Sequence, residues 1–541
     1  MDHSSKVTYF AETDSRHNRN KFGIKAEDRS KHVYVIGKTG MGKSTLLENM
    51  AIQDIQNGNG IAFIDPHGGT AEKLLEYIPK ERAKDVLYFA PFDMEHPVSF
   101  NVMEDVGASK RHLVVNGLMS VFEKIWEDAW SARMAYILQN TLLALLEYPG
   151  ATLLAVNRMY TDKEFRNKVV ANVTDVSVKS FWIDEYAKYT DKYAQEATPA
   201  IQNKIGQFAG NPLIRNIIGQ PKSSFNLREI MDEKKIMIVN LSKGRVGEGN
   251  ARLLGSMLIT KLYLAAMSRS DEKSSNLAKL PQFYLFVDEF QSFADRSFTD
   301  ILSESRKYKL NLTIAHQYIE QMDEEVRDAV FGNVGTMIVF RVGAYDADVL
   351  EKEFAPVFTA EDLVNLGLRQ IYLKLMIDSV TSQPFSATTL APIKLPEASY
   401  VDEIIEHSRK AFSRPRADVE KSITDWHEEG RLQAPAKTHP PKVTSNPHVI
   451  KPQPRPYIPP PSPNPPPRQT PPQPPPPPQN ISLDSLKKKT DNQRKPGAEH
   501  VSALRDALKT AMKNQPEPQK SNEVSQKKEP SPEELKKILD V

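Results

Sequence analysis

The chain has 541 residues, 40 prolines, no cysteine and a formal charge of only +2, from 71 Lys and Arg against 69 Asp and Glu. The lack of cysteine excludes disulfides, thiolate metal sites and a cysteine nucleophile, and suits a reducing cytoplasm. The balanced charge confines any nucleic-acid surface to a local patch.

Residues 1–30 are polar and weakly patterned, with Val7 to Phe10 a short lead-in strand. The opening residues lack the apolar core of a signal peptide.

Val33 to Ile36 reads as a buried strand that stops at Gly37. Gly37-Lys38-Thr39-Gly40-Met41-Gly42-Lys43-Ser44 follows, with the spacing G-x-x-x-x-G-K-S, then Thr45 and a helical repeat through Leu46, Leu47, Met50 and Ala51. Strand before and helix after are the context that this phosphate loop requires. Its glycines reach backbone angles closed to other residues, so consecutive N–H groups can turn toward phosphate oxygens at the positive end of a helix. Lys43 is then placed for the β- and γ-phosphates of ATP, and Ser44 for Mg²⁺.

Gly60 to Asp65 is a second buried strand, ended by Pro66-His67-Gly68-Gly69; for His67 a plain turn and a ligand-facing position weigh equally. Val86 to Phe89 is a third strand, and continuous apolar runs alternating with helices argue for an α/β fold with a mostly parallel sheet covered on both faces. From 106 to 226 the periodicity turns helical, which predicts an all-α domain inserted into an ATPase domain formed by 31–105 and 227–395. Trp126 and Trp130, four apart, are expected on one helix face as core, as are Phe181, Trp182, Tyr186, Tyr189 and Tyr193.

The sheet resumes at Lys235 to Leu241, and the next loop, Ser242 to Asn250, reads as mobile with Lys243 and Arg245 in it. Leu253 to Met267 is a long apolar helix; interrupted by Lys261 and shorter than the roughly 18 residues that span a bilayer, it is not a membrane span.

Phe283 to Val287 is an apolar strand that delivers Asp288 and Glu289 to its carboxyl end, where ligands bind in open α/β sheets. Asp288 is the candidate for Mg²⁺ and Glu289 for activating water. Phe298 to Tyr308 is a helix carrying Arg306, a candidate arginine finger or a solvated helix end. Leu310 to Ala315 is a strand with Gln317 beyond its tip, in reach of a γ-phosphate or its water. Arg341 is expected inside the strand Met337 to Val342, where a charge needs a partner or an edge, and is a second finger candidate.

Ile371 to Ile377 and Phe385 to Leu390 form a closing hairpin, and 396–433 a helical extension of short helices. Between Pro435 and Pro478 stand 21 of the 40 prolines, a composition that makes 434–480 an extended spacer or docking ligand and not a packed core. In the disordered tail, 481–541, Val501, Leu504, Leu508 and Met512, then Leu535, Ile538 and Leu539, are spaced as short helices that fold on a protein partner, or as accident.

The stretches GKTGMGKST, IDPHGG, SKGR, FVDEFQSF, SRKYKLNLTIAHQ and MIVFR, in this order between Phe22 and Leu390, resemble the FtsK/HerA superfamily of RecA-like motor ATPases, most closely the coupling ATPases (TraD/TraG type) of type IV secretion and conjugative DNA transfer. The resemblance implies a RecA-like fold and a ring-shaped homo-oligomer, usually hexameric, that pumps DNA. It implies a nucleotide held between subunits and completed by a neighbour's arginine, here Arg306. A basic residue just before the first strand contacts the neighbouring site in some relatives; Lys31 stands there, with Arg29 two earlier. The helical domain of such proteins lies at the channel mouth and helps to choose DNA. Membrane-embedded members carry transmembrane helices that this sequence does not show, so docking on a membrane secretion complex is the implied alternative to a free translocase.

Taken together, the residues predict a soluble cytoplasmic, ATP-driven, Mg²⁺-dependent DNA translocase, with Lys243 and Arg245 candidates for its pore or for the nucleotide. A P-loop ATPase that moves protein or powers machine assembly, and a nucleotide-dependent scaffold without motor activity, are the competing readings.

Overall fold

In the computed structural model, the described residues are 6–14, 19–104, 106–190 and 198–432. The proline-rich segment, the tail and Tyr193 lie outside them.

Thirteen strands are numbered in chain order: β1 (Val7–Thr13), β2 (Lys21–Lys25), β3 (Val33–Ile36), β4 (Gly60–Asp65), β5 (Val86–Phe89), β6 (Ile236–Asn240), β7 (Phe283–Val287), β8 (Leu310–His316), β9 (Thr336–Val339), β10 (Gln370–Lys374), β11 (Met376–Ile377), β12 (Val380–Thr381) and β13 (Phe385–Thr389). Eleven form one sheet in the order β2-β1-β13-β10-β9-β3-β8-β7-β4-β6-β5. The run from β9 to β5 is parallel throughout; β10, β13, β1 and β2 extend it antiparallel.

The parallel strands are apolar on both sides because both faces are covered. Alternate residues go to two separate cores, as the two-residue period of a strand requires. Tyr34, Ile36, Ala62, Ile64, Leu285 and Val287 face one; Val33, Val35, Ile61, Phe63, Tyr284 and Phe286 face the other. Helix α1 (Lys43–Gln56) closes the second core with Leu46, Leu47, Met50 and Ala51, each large apolar side chain contributing about 1.5–3 kcal/mol by leaving water.

Between β5 and β6 every element among the described residues is helical, from the turn at Ala108–Lys110 to the helix Leu227–Asp232. The helix Arg111–Ile125 packs on the long helix Glu248–Met267, so close that a β-carbon on Gly117 would stand 2.4 Å from the Thr260 methyl. A single Gly117→Ala change therefore makes either the Thr260 side chain turn or the two helices shift.

Several expectations need correction. Trp126 and Trp130 share no helix: the helix ends at Ile125 and Trp126 is its C-terminal cap. Trp126 still packs, its ring 5.1 Å from Phe122 and 5.5 Å from Phe208. Lys243–Val246 forms a helical turn within the loop read as mobile. The short helices after 396 are two longer ones, Val401–Phe412 and Arg416–Leu432. The first covers the outer edge of β5, where the Tyr88 N–H donates to Ser408 Oγ at 2.9 Å, so the edge is not left open for another strand. The second lies on the helical insertion, where the Arg158 guanidinium sits 4.9 Å from the Trp426 ring. Arg29 is buried: its guanidinium donates to both oxygens of Asp54 at 2.8 and 2.9 Å and lies 3.8 Å over the Tyr284 ring. It is thus a structural pair and not a group offered to a neighbour, because breaking it leaves Asp54 charged and buried.

His32 ties the start of β3 to its surroundings. Its Nδ1 accepts the Leu312 N–H at 3.1 Å and its Nε2 faces the Leu302 carbonyl at 3.2 Å, so the ring is neutral with its proton on Nε2. Burial, opposed by the Leu302 bond and reinforced by Arg306, pushes its pKa down to about 4. A histidine with a lowered folded-state pKa stabilises above its unfolded value near 6.5 and loses that contribution as pH falls toward 4. Between those limits we expect His32→Gln to show a loss of unfolding free energy smaller than the parent chain's by about 3 kcal/mol, read from urea unfolding at a series of pH values; parallel curves would refute this role.

Candidate functional site

The site gathers at the carboxyl ends of β3, β4, β7 and β8. Gly40 and Gly42 carry φ of +78° and +117°, left-handed values that keep the loop open to glycine and let its N–H groups converge. The Lys43 side chain is folded into the loop: Nζ donates to the Gly37 carbonyl at 2.6 Å and the Lys38 carbonyl at 3.3 Å. Burial pushes its pKa down while Glu289 and Asp288 pull it up. Ser44 Oγ donates to Asp288 Oδ2 at 3.1 Å. Ser44 and Asp288 therefore meet at one point, with Lys43 within reach of the same carboxylate, although 244 positions separate the hydrogen-bonded pair in sequence.

Two further carboxylates surround Asp288. Glu289 follows it with φ +47° and ψ +48°, a strained left-handed conformation for a residue with a side chain. Asp65, at the end of β4, accepts the His67 and Ala71 N–H groups at 2.8 and 3.0 Å. Burial, then the charges of Glu289 and Asp65, push the Asp288 carboxyl up to about 6. A serine hydroxyl beside an aspartate oxygen is the hard-oxygen donor pair that Mg²⁺ takes together with waters and phosphate oxygens. Ser44 and Asp288 are the residues that would hold it.

Glu289 is positioned from two sides. Gln291 Nε2 donates to its Oε2 at 2.6 Å, Gln317 Nε2 donates to its Oε1, and Gln317 Oε1 accepts from the Thr39 hydroxyl at 2.8 Å. Gln317 thus links the phosphate loop to the acidic strand. His67, the residue with two open readings, has Nε2 3.8 Å from Glu289 Oε1.

The two candidate fingers lie at opposite ends of the sheet. Arg341 is not inside a strand: β9 ends at Val339, and Arg341 is half-buried beyond its carboxyl end, its carbonyl accepting the Lys38 N–H at 2.8 Å. It therefore flanks its own phosphate loop. Arg306, in the turn Ser305–Tyr308, is exposed, forms no ion pair among the described residues, and precedes β8, whose far end carries Gln317. Lys243 and Arg245 stand past the carboxyl end of β6, where the Lys243 N–H donates to the Pro66 carbonyl and Arg245 pairs with Glu72 at 3.1 Å over the Phe92 ring. Asp65 and Gln291 were not singled out in the sequence. The first sits in the quoted IDPHGG stretch as one more strand-end polar residue; the second has no spacing signal.

Strand order, phosphate loop and the carboxylate pair define a P-loop nucleotide-binding protein of RecA-like fold. The chain belongs to the family described as type IV secretory system conjugative DNA transfer, whose model matches residues 5–346. Direct sequence comparison with curated proteins gives no match. Among solved structures, the plasmid coupling protein TrwB in complex with ADP and Mg²⁺ superposes with a TM-score of 0.53 at 15% identity, over 73% of this chain and 98% of that one. The bacterial conjugative coupling protein TrwBΔN70, in an unbound form, gives 0.51 at 15%, over 69% and 88%. VirB4 of Thermoanaerobacter pseudethanolicus gives 0.49 at 13%, over 72% and 97%. At such identities the likeness to TrwB is one of fold. No helix among the described residues is long and apolar enough to cross a membrane.

Proposed function

We propose that the chain is a coupling ATPase that moves DNA for conjugative transfer, driven by ATP hydrolysis at seams of a ring of identical protomers, six by analogy with the superfamily, docked in the cytoplasm on a membrane secretion complex. The observation that carries this reading is the convergence of Lys43, Ser44, Asp288, Glu289 and Gln317 in a member of the conjugative DNA-transfer family.

The loop N–H groups of Gly37 to Thr45 bind the triphosphate, with Lys43 set against the β- and γ-phosphates. Mg²⁺, when bound, offsets charge on those phosphates. Glu289, fixed by Gln291 and Gln317, orients a water toward the γ-phosphorus and takes its proton as the new P–O bond forms and the bond to ADP breaks. Gln317 contacts both Thr39 and Glu289, so it can report γ-phosphate loss from the loop to the acidic strand. Arg306 of an adjacent protomer neutralises the transferred phosphoryl group.

DNA is gripped through its phosphates, so affinity should fall steeply with salt. Measuring ATP hydrolysis with and without DNA, alongside particle size by electron microscopy, tests the proposal. Stimulation of at least about tenfold, lost as salt rises from 50 to 200 mM, is the expected result; assembled rings that respond to no DNA, single- or double-stranded, would overturn it.

A further inference from the structure

We infer that Arg369, with the cleft beside it, forms the subsite for the ribose and base of the nucleotide; this rests on the nucleotide-binding reading above. Three observations converge on it. Thr45, Asn49 and Gln53 are spaced by four along α1 and so form one stripe on its surface. The stripe starts where the loop ends and runs about 6 Å from Thr45 to Asn49 at the helical rise of 1.5 Å per residue, leading away from a triphosphate anchored at Lys43.

That stripe leads into a cleft of about 450 Å³, lined by Asn49, Gln53, Arg369, Thr389, Pro392 and Ile393 among others. The cleft is of a size to hold a nucleoside. Asn49 and Gln53 shape its wall without being free to recognise a ligand: the Asn49 amide donates to the Ala391 carbonyl at 2.9 Å and accepts the Ile393 N–H at 3.1 Å, while Gln53 pairs with both backbone groups of Tyr9.

Arg369 is different. Its backbone N–H donates to the Met41 carbonyl at 3.2 Å, and its Cγ lies 3.6 Å from the position of a β-carbon on Gly42. The residue is held at φ +64°, which a side chain rarely adopts, and its carbonyl accepts the Thr389 N–H at 2.9 Å. Strain of this kind persists where the surroundings over-determine the backbone, and it collects at ligand sites. The half-buried guanidinium forms no ion pair among the described residues, and it stands between the phosphate loop and the cleft. A planar cation there can lie on a purine ring or donate to ribose oxygens.

The test uses the full chain and Arg369→Gly, which removes the side chain yet suits the left-handed backbone, with Arg369→Lys as a second variant that keeps charge without the plane. Calorimetric titration with ATP and with inorganic tripolyphosphate separates the nucleoside from the phosphates, and the ratio of the two affinities does not depend on how much of a sample is folded. The expected result is a loss of about tenfold or more in ATP affinity for both variants with tripolyphosphate affinity unchanged, so the ratio falls. An unchanged ratio, whether both affinities hold or both drop, overturns the assignment. Failure of the unmodified chain to bind either compound refutes the nucleotide-binding reading itself.

Discussion

Glu289→Gln is expected to lower ATP turnover by about a thousandfold while ATP affinity stays within a factor of about three, since a positioned general base contributes roughly 10² to 10⁴. The substitution keeps shape and removes basicity. The amide oxygen can still accept from Gln291 or Gln317, which hold the carboxylate from two sides. What the amide cannot do is take a proton from water. The strained backbone at 289 is unchanged by the exchange, so the fold should tolerate it. Ser44 and Asp288, the residues that would hold Mg²⁺, are left in place by the exchange, which is why nucleotide binding should survive it. Steady-state hydrolysis combined with nucleotide titration checks both halves. Turnover within tenfold of the parent would remove Glu289 from the chemistry and leave Gln317 or His67, its immediate neighbours, to be examined.

What could be read in the sequence follows from how local the cause is. The phosphate loop was legible because glycine at 40 and 42 is itself the physical cause of the loop's shape. The parallel strands were legible because burial on both faces leaves mostly apolar residues, with the polar exceptions few in each strand. The antiparallel edge was harder: β2, Lys21–Lys25, is short and polar on its open side, and pairs with β1 only through long-range register. Arg341 lies outside the strand although MIVFRV is strand-like, because the regular β3–β9 register stops at Ile36 and Val339 and the Arg341 carbonyl accepts the Lys38 N–H of the phosphate loop instead. Arg29 and Lys31 look alike as basic residues before a strand, yet Asp54 on α1 takes one of them into the core. Arg369 carries no motif. Its place beside Met41 and Gly42 depends on β10 and β13 being paired in the sheet, information spread over the whole chain.

Arg306→Ala should reduce turnover by about 10³-fold or more, the usual worth of an arginine finger, with nucleotide binding and folding intact. Folding should survive because the side chain is exposed and unpaired among the described residues, a class of substitution that typically costs within about 0.5 kcal/mol. Position decides which site it serves. Arg306 precedes β8 and Gln317 follows it; the seven-residue strand between them spans roughly 20 Å at about 3.3 Å per residue, further than an arginine can reach. Its own phosphate site is out of its reach, so in the proposed ring it would serve a neighbour's. Two inactive variants should therefore rescue each other. In rings co-assembled from Glu289→Gln and Arg306→Ala protomers, about a quarter of the seams in an equal random mixture join an intact Glu289 to an intact Arg306 across a head-to-tail interface. Hydrolysis should return at a level set by those seams and vanish when either variant is assayed alone. A mixture as inactive as its components, with mixed rings verified by mass spectrometry, would show that Arg306 does not act across the interface, and would leave Arg341, on the near side of the sheet, as the arginine positioned to meet the phosphates.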